Sequence, residues 1–236
     1  MATNPNSVSP SGGPATHQYE HVKMSYRSKK MADTYDSKRF QSRWGKTLNR
    51  KLLVALIGIM RSVENKGYRL DAILDMPCGT GRAYPAFLSY GYNFTGSDIS
   101  LEMMIESRKK LYSPDDAPLV QTDMEQTAFK DNSFDAIICL RFLTMNTSSE
   151  ARLVIFKEMR RISRKWVILE CQHMTPATQA VNYIAQDVFG KKPVYRYFTK
   201  DKIQRELKQA GISIERIFHP YGMLSNKWLI LGKVIK

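Results

Sequence analysis

The sequence predicts an α/β fold: a three-layer sandwich around a seven-stranded, mostly parallel β-sheet with one antiparallel edge strand. Two observations carry this prediction. Short apolar runs of β character alternate with helical runs through short connections, which is typical of a parallel sheet with helices on its faces. The last two β runs follow each other with no helix between them, so we expect them to pair antiparallel at one edge of the sheet.

Helical and strand-like runs succeed one another in a regular order. The first helical region, from about Met31 to Val63, has apolar residues on more than one face, as a largely buried helix would. Shorter helical runs lie at 83–91, 99–112, 150–162 and 199–211, and Ser100 is the expected N-cap of the second of these. The strand-like runs are 72–76, 93–98, 118–123, 134–140, 166–172, 212–219 and 227–234.

Charge is distributed unevenly along the chain. The 236 residues carry a net charge of +14 and are 43% hydrophobic, which provides a core and excludes wholesale disorder. Residues 1–72 contain 13 basic and 5 acidic side chains, residues 73–150 contain 6 and 11, and residues 151–236 contain 17 and 6. A uniform polycation that coats nucleic acid does not have this pattern. The acidic middle indicates that this region uses carboxylates.

Cysteine spacing and apolar run length limit the chemistry and the location. Cys78, Cys139 and Cys171 have no close-pair spacing, so neither a disulfide framework nor a metal site is expected. No apolar stretch approaches the roughly 18–20 residues of a membrane span. The first 22 residues contain no Lys or Arg and no apolar signal-peptide core. We therefore expect a cytoplasmic protein with reduced thiols and no membrane span; the sequence assigns no oligomeric state.

The run AILDMPCGTGR, residues 72–82, contains the central chemical signal. A buried strand ends at Asp75, a turn with Gly79 and Gly81 follows, and a helix begins behind it. Glycines allow the backbone to approach a ligand closely or to adopt positive φ, and the helix start offers free N–H groups. Tyr84 occupies the place of the third glycine in the dinucleotide fingerprint GxGxxG, and an acidic residue before the turn would repel a pyrophosphate. The pattern suits a ligand that carries an ammonium group.

Two further strand ends carry acidic residues. Asp98 closes the second strand, where a carboxylate can accept hydrogen bonds from both hydroxyls of a ribose. Asp123 and Met124 follow the third strand, where they can meet an adenine amino group beside an apolar wall. The three strand ends together describe a pocket for an adenosine with a charged amino-acid tail.

These motifs resemble the S-adenosylmethionine-binding half of class I, seven-stranded, Rossmann-like methyltransferases over residues 72–140, closest to bacterial-type small-molecule methyltransferases. Several motifs occur in the family's order, and the reversed last strand fits that fold too. The resemblance implies S-adenosylmethionine as the cofactor. The residues that it implies in cofactor binding are Asp75, Pro77, Cys78, Gly79, Thr80, Gly81, Asp98, Ile99, Asp123, Met124 and Arg141.

The same resemblance implies which segments surround the acceptor. The run TYDSKRF is similar to the family's N-terminal lid, which implies Tyr35 and Arg39 near the cofactor's carboxylate or the acceptor. We expect Tyr195 and Tyr197 to roof the acceptor pocket, and His173, after the fifth strand, is the candidate catalytic residue. The family's common histidine pair after the fourth strand is absent and LRFLTMN takes its place, so the sequence does not assign the usual general base.

The resulting domain organisation is a disordered tail followed by a single methyltransferase domain. The expected bounds are 1–20 for the tail, 21–66 for an N-terminal helical lid, 67–172 for the cofactor-binding core, 173–198 for an insertion that acts as a lid, and 199–236 for a C-terminal helix and β-hairpin.

We therefore predict an enzyme that transfers a methyl group from S-adenosylmethionine to an O or N atom of a small, anionic or polar metabolite. A sulfonium is already an activated leaving group, and alignment can supply about 7–11 kcal/mol, so a general base is not essential. Two alternatives stay open. An RNA methyltransferase for tRNA or rRNA would hold phosphates with the basic runs at 158–166 and 190–202, and a non-catalytic methyltransferase-like subunit would bind the cofactor only to support a partner.

Overall fold

The computed structural model describes most of the chain from Lys23 onward. The described residues are 23–24, 26–40, 42–143, 148–175, 184, 198–222 and 225–236. Tyr195, Tyr197 and the tail predicted over 1–20 lie outside these residues, as does most of the predicted insertion.

A seven-stranded sheet forms the centre of the molecule, with the strand order β3-β2-β1-β4-β5-β7-β6. Its strands are β1 (Ile73–Asp75), β2 (Phe94–Asp98), β3 (Leu119–Gln121), β4 (Phe134–Cys139), β5 (Ser163–Gln172), β6 (Ile212–Phe218) and β7 (Lys227–Val234). β7 runs antiparallel to both β5 and β6, while β1 to β5 pair in parallel. The predicted fold class is confirmed, and β7 lies between β5 and β6, so that β6 forms the edge itself.

The helices in the described part of the chain are α1 (Lys29–Phe40), α2 (Arg43–Glu64), α3 (Tyr84–Ser89), α4 (Leu101–Arg108), α5 (Ser149–Ile162) and α6 (Lys200–Gln209). Four of them, α2, α4, α5 and α6, begin at a Ser or Thr whose side chain caps a free N–H group. Ser100 accepts a hydrogen bond from the Met103 amide at 3.2 Å, as the sequence predicts. The long N-terminal helical region divides into α1 and α2, because Ser42 adopts an extended conformation and caps α2 through the Gly45 amide.

Apolar side chains cover both faces of the sheet. One face packs against α5 and α6, where Phe156 and Leu207 are fully buried. The other face packs against α2 and α3, where Leu56 and Phe87 are fully buried. This arrangement is the predicted three-layer sandwich, and it holds the strand ends in fixed positions. Within the described part of the chain, the helices are too short or too polar to cross a membrane.

Candidate cofactor and acceptor site

A cavity that is open to solvent lies at the carboxyl ends of β1 to β4. This is the edge at which open α/β sheets bind ligands, because the strand order reverses direction there: β1 lies between β2 and β4. The turn after β1, the ends of β2 and β3 and the segment after β4 supply most of the wall, and the N-terminal segment covers it with Lys23, Tyr26 and Tyr35.

The turn after β1 depends on glycine at two positions. Gly79 and Gly81 have φ values of +54° and +69°, in the left-handed region that side chains with a Cβ rarely adopt. Gly79 lines the cavity, whereas Gly81 faces away from it. A Cβ on Gly81 would lie 2.7 Å from Cδ2 of Tyr84, so this glycine makes room for the helix behind the turn.

Tyr84, which stands where a dinucleotide fingerprint has its third glycine, is fully buried under the turn. Its ring contacts Phe94 with a centroid distance of 4.7 Å. Its hydroxyl lies against the Cα of Gly96 on β2, so closely that a Cβ at Gly96 would overlap it. In a dinucleotide fingerprint the small residue is the third glycine, at the start of the helix. Here the helix carries the large Tyr84, and the small residue is Gly96 on the neighbouring strand β2.

Asp75 ends β1 inside the cavity wall and is only 3% exposed. Burial raises the pKa of Asp75 to about 7; Arg82 opposes this rise, and the nearby Asp98 adds to it. A buried carboxyl group with this pKa is poised to accept a cation, whose charge would favour the ionised form. This is the behaviour that an ammonium-bearing ligand requires.

Asp98 ends β2 and is anchored by backbone amides. Its two oxygens accept hydrogen bonds from the Gly79 amide at 2.8 Å and from the Ser100 amide at 2.9 Å. Burial raises the pKa of Asp98, and these hydrogen bonds act in the opposite direction. Each carboxylate oxygen has a second lone pair, so the group can still accept hydrogen bonds from two hydroxyls in the cavity.

Asp123 and Met124 lie at the far end of the cavity, after β3. Lys23 donates to Asp123 at 2.8 Å and to Glu125 at 2.6 Å, and it is itself 8% exposed. The N-terminal segment is therefore tied to this end of the site by a cation shared between two carboxylates. Met124 is buried and provides the apolar surface that the sequence predicts there.

The helix α1 is fastened to the glycine turn. Asp36 accepts a hydrogen bond from the Thr80 hydroxyl at 2.7 Å and forms an ion pair with Lys110, which follows α4. Tyr35 lines the cavity, and its ring lies 6.2 Å from that of Tyr26 in an edge-to-face arrangement. Arg39 lies on the same helix, and its side chain is outside the described part of the structure.

The segment after β4 supplies Leu140, Arg141 and Phe142 to the cavity. Arg141 has a φ of +61°, an uncommon conformation for a residue with a Cβ and one that recurs at functional sites. In the described part of the chain, the residues that line the cavity do not include His173. Its ring stacks on Trp228 with centroids 4.1 Å apart, and burial together with His219 lowers its pKa.

The structure thus brings most of the predicted cofactor residues to one cavity: Asp75, Pro77, Cys78, Gly79, Thr80, Asp98, Ile99, Asp123, Met124, Arg141 and the predicted lid residue Tyr35. Gly81 belongs to the turn but does not line the cavity, and His173 does not line it either. The sequence reasoning missed Lys23, Tyr26, Asp36 and Arg82. Two of these carried a signal, since Arg82 directly follows the glycine turn and Asp36 lies within the run TYDSKRF. Lys23 and Tyr26 are distant in sequence from every motif.

The donor set fits S-adenosylmethionine. The carboxylates of Asp75, Asp98 and Asp123 are of the type that would accept hydrogen bonds from an ammonium group, a ribose diol and an adenine amino group, and they follow one another along the sheet as their strands do. The described residues contain no group of three or more His, Cys, Asp or Glu placed to hold a metal ion. The negative charge of the three carboxylates therefore suits an adenosyl sulfonium.

Residues 73–165 match the family model described as a methyltransferase domain. With the strand order and the acidic strand ends, this match shows that the core of the chain is similar to a class I methyltransferase domain, the class predicted from the sequence. The class uses S-adenosylmethionine, which confirms the expected cofactor at the level of the domain.

Two curated proteins resemble part of the chain. It is 32% identical over 112 residues to the Bacillus subtilis (strain 168) protein YqeM, which is named as a methyltransferase; the match spans 47% of this chain and 44% of that one. It is 29% identical over 111 residues to the demethylmenaquinone methyltransferase of Clavibacter sepedonicus, again across 47% and 44% of the two chains. The match therefore spans less than half the length of these relatives.

Solved structures resemble the chain over more of its length. Magnesium protoporphyrin IX methyltransferase from Synechocystis PCC 6803, solved with bound SAH, has a TM-score of 0.72 at 17% identity and covers 92% of this chain and 99% of its own. A S-adenosylmethionine-dependent methyltransferase from Clostridium acetobutylicum ATCC 824 has a TM-score of 0.62 at 17% identity, with 88% and 98% covered. At these identities the likeness establishes a shared fold.

Proposed function

We propose that this chain transfers a methyl group from S-adenosylmethionine to an O or N atom of a small, anionic or polar metabolite. The observation that carries the proposal is the convergence of Asp75, Asp98 and Asp123 on one cavity at the ends of three adjacent strands. A family match over the same core and a turn shaped by Gly79 and Gly81 support it.

Each carboxylate has a distinct part in binding the cofactor. Asp75 would receive the ammonium group of the methionine part, Asp98 the ribose hydroxyls, and Asp123 the adenine amino group. The sulfonium supplies an activated methyl group when the cofactor is bound. Because that group leaves readily, the chief task of the protein is to hold the acceptor in line with it.

The acceptor side of the cavity explains why a small anionic or polar acceptor is favoured. The part of the wall contributed by the segment after β4 combines the apolar Leu140 and Phe142 with the cationic Arg141, and Arg82 lies in the same cavity. Apolar walls with a few placed charges are typical of small-molecule sites.

The basic run at 158–166, which supported the RNA alternative, is largely used within the protein. Arg161 pairs with Glu158 and Asp131, and Arg164 pairs with Asp135. The ammonium of Lys165 lies 3.6 Å from the centre of the Tyr68 ring. These contacts do not favour RNA phosphates, and most of the second basic run, 190–202, lies outside the described residues. A cytoplasmic location fits the three cysteines, all of which are buried free thiols.

Isothermal titration calorimetry with S-adenosylmethionine and S-adenosylhomocysteine tests the proposal, with NAD as the control ligand. We expect both adenosyl ligands to bind and NAD not to bind. Methyl transfer from radiolabelled cofactor to panels of carboxylic acids, phenols and amines then distinguishes an enzyme from a cofactor-binding subunit. Failure of the wild-type protein to bind either adenosyl ligand would overturn the proposal, and transfer to RNA alone would overturn the choice of acceptor.

A further inference from the structure

A second group of charged side chains lies beside the cofactor cavity, at the ends of β4, β5 and β7. It consists of Arg82, Arg141 and Lys227 together with Glu170 and Tyr221, and we call it the basic cluster. Arg82 and Arg141 line the cavity, whereas Glu170, Tyr221 and Lys227 extend the cluster along the sheet, away from β1 to β3. None of the three motifs that bind the cofactor contains Glu170, Tyr221 or Lys227.

The contacts within the basic cluster are close and largely buried. The Arg82 guanidinium lies 3.7 Å from a Glu170 oxygen, and the two side chains are 12% and 3% exposed. The Lys227 ammonium lies 5.3 Å from the centre of the Tyr221 ring. The pairing of β5 with β7 places Gln172 opposite Lys227, two residues along from Glu170 and therefore on the same face of the sheet.

Two acceptor atoms in this region are buried without a hydrogen-bond partner: Oε2 of Glu170 and Oε1 of Gln172. Buried polar atoms are normally satisfied, and leaving one unpaired costs about 1–3 kcal/mol. Glu170 is 2% exposed, and its Oε2 has the Arg82 guanidinium 3.7 Å away as an ion-pair partner. Because the two buried oxygens are both acceptors, they suit a donor group such as a hydroxyl on the bound molecule, whereas an anionic group would be met by the cations of the cluster.

The pKa values of Lys227 and Tyr221 depend on the charges of the other members of the cluster. The pKa of Lys227 is lowered by burial and by Arg141 and Arg82, against the opposing effect of Glu170. The pKa of Tyr221 is raised to about 12 by burial, with Glu170 adding to the rise while Arg82 and Arg141 oppose it. A further negative charge at this place would relieve the mutual repulsion of the cations.

Resting on the methyl transfer proposed above, we infer that the basic cluster binds the anionic group of the methyl acceptor, a small organic carboxylate. Arg82, Arg141 and Lys227 supply the positive charges, and Glu170 is a positioning residue that holds Arg82. The sheet order supports this place for the acceptor, because β4, β5 and β7 lie on the opposite side of β1 from β2 and β3. An anion here and an adenosyl group over β1 to β3 would approach the end of β1 from opposite sides.

The cofactor's own carboxylate is the other anion that could meet these cations, and geometry separates the two cases. β7 is the third strand from β1 in the sheet. At about 4.8 Å between neighbouring strands, the two strands lie roughly 14 Å apart. Arg82 and Arg141 line the cavity, whereas Lys227, at the start of β7, does not. Among the three cations, Lys227 is therefore the one best placed to report on the acceptor and not on a cofactor tail held at Asp75.

Calorimetry with a matched pair of probes tests the inference: benzoate, which carries a carboxylate, and benzamide, its neutral counterpart. Each is titrated into the protein saturated with S-adenosylhomocysteine and into the free protein. We expect benzoate to bind at least about tenfold more tightly than benzamide, a difference of about 1.4 kcal/mol. Lys227→Met should reduce that difference, because only Arg82 and Arg141 then remain to meet the anion, and Lys227→Arg should retain it. Lys233→Met, on the same strand but opposite Trp166 at the other end of β5, is the control.

Equal binding of benzoate and benzamide by the wild-type protein, or no binding of benzoate, would overturn the inference. So would an equal loss of benzoate affinity in Lys233→Met. A loss of S-adenosylmethionine affinity in Lys227→Met would reassign the cluster to the cofactor and also overturn it. Failure of the wild-type protein to bind S-adenosylhomocysteine is a separate result: it refutes the proposed function, while the titrations of the free protein still decide whether the cluster binds an anion.

Discussion

Asp98→Asn removes one carboxylate oxygen from the end of β2 while leaving the size of the side chain almost unchanged. In the wild-type protein both oxygens already accept hydrogen bonds, from the Gly79 amide at 2.8 Å and the Ser100 amide at 2.9 Å. The variant keeps one acceptor and gains an NH₂ group that faces a backbone donor or the ribose. It therefore weakens both the glycine turn and the proposed ribose contact.

The expected size of the effect follows from these contacts. A hydrogen bond to a charged group contributes about 1.5–3 kcal/mol. Loss of one such bond to the ribose would weaken S-adenosylmethionine binding about 10- to 150-fold. A loss of unfolding free energy in the same range, about 1.5–3 kcal/mol, is expected from the backbone contact. Calorimetry with the cofactor and urea denaturation of the free protein measure the two quantities separately.

Asp135→Asn is a matched control for this prediction. Asp135 also accepts two backbone hydrogen bonds, from the amides of Asp71 and Ala72, each at 2.9 Å. It lies at the start of β4, at the opposite end of the strand from the cavity. Its variant should lose stability yet keep its cofactor Kd within about twofold. Wild-type cofactor affinity in a folded Asp98→Asn, or an equal loss of affinity in both variants, would refute the reasoning.

Further predictions concern the turn, the lid and pH. S-adenosylmethionine should bind about tenfold more tightly at pH 8 than at pH 6, because the pKa of Asp75 is about 7 in the free protein and the ionised form attracts the cation; calorimetry of Asp75→Asn should show no such dependence. The free protein should lose stability as pH rises from 3.8 to about 7, since in this window Asp75 is protonated when folded and ionised when unfolded; urea titrations at several pH values measure this. Gly81→Ala should destabilise the protein more than Gly79→Ala. Both substitutions impose about 1–2 kcal/mol of backbone strain, but only a Cβ at Gly81 would contact Tyr84, at 2.7 Å. Equal denaturation midpoints for the two variants would contradict this. Asp36→Asn should speed proteolytic cleavage within α1 with little change in overall stability, and unchanged cleavage would mean that its contacts do not hold the helix.

Local pattern was sufficient to predict the parts of the site that lie on single strand ends. Asp75 and Asp98 each follow a short apolar strand, and parallel strands bring their carboxyl ends to one edge, so the sequence order alone places the two side chains together. The same reasoning located Asp123 and Met124. Asp135 was expected to serve the start of its strand, and its hydrogen bonds to two backbone amides agree with that.

Contacts between distant segments could not be predicted in the same way. Lys23 reaches Asp123 across 100 positions of sequence, and Arg82 meets Glu170 because β1 and β5 lie on either side of β4 in the sheet. His173 illustrates the converse. It follows β5, the place from which acceptor-facing groups come, yet alternation along the strand turns it to the face that carries Trp228, away from Glu170 and Gln172. One residue of register decides between these two faces.

The contact between Tyr84 and Gly96 makes the effect of a substitution at one of these positions depend on the residue at the other. Gly96→Ala should be severely disruptive while Tyr84 is present, because the new methyl group would overlap the phenol oxygen. Tyr84→Phe removes that oxygen, so the same methyl group then meets less obstruction. The Leu119 side chain, 2.8 Å from the position that the methyl group would occupy, and the ring carbon Cζ of residue 84, at 2.9 Å, must still move. The two sites are therefore epistatic. A larger residue at position 96 is expected to occur together with a smaller residue at position 84.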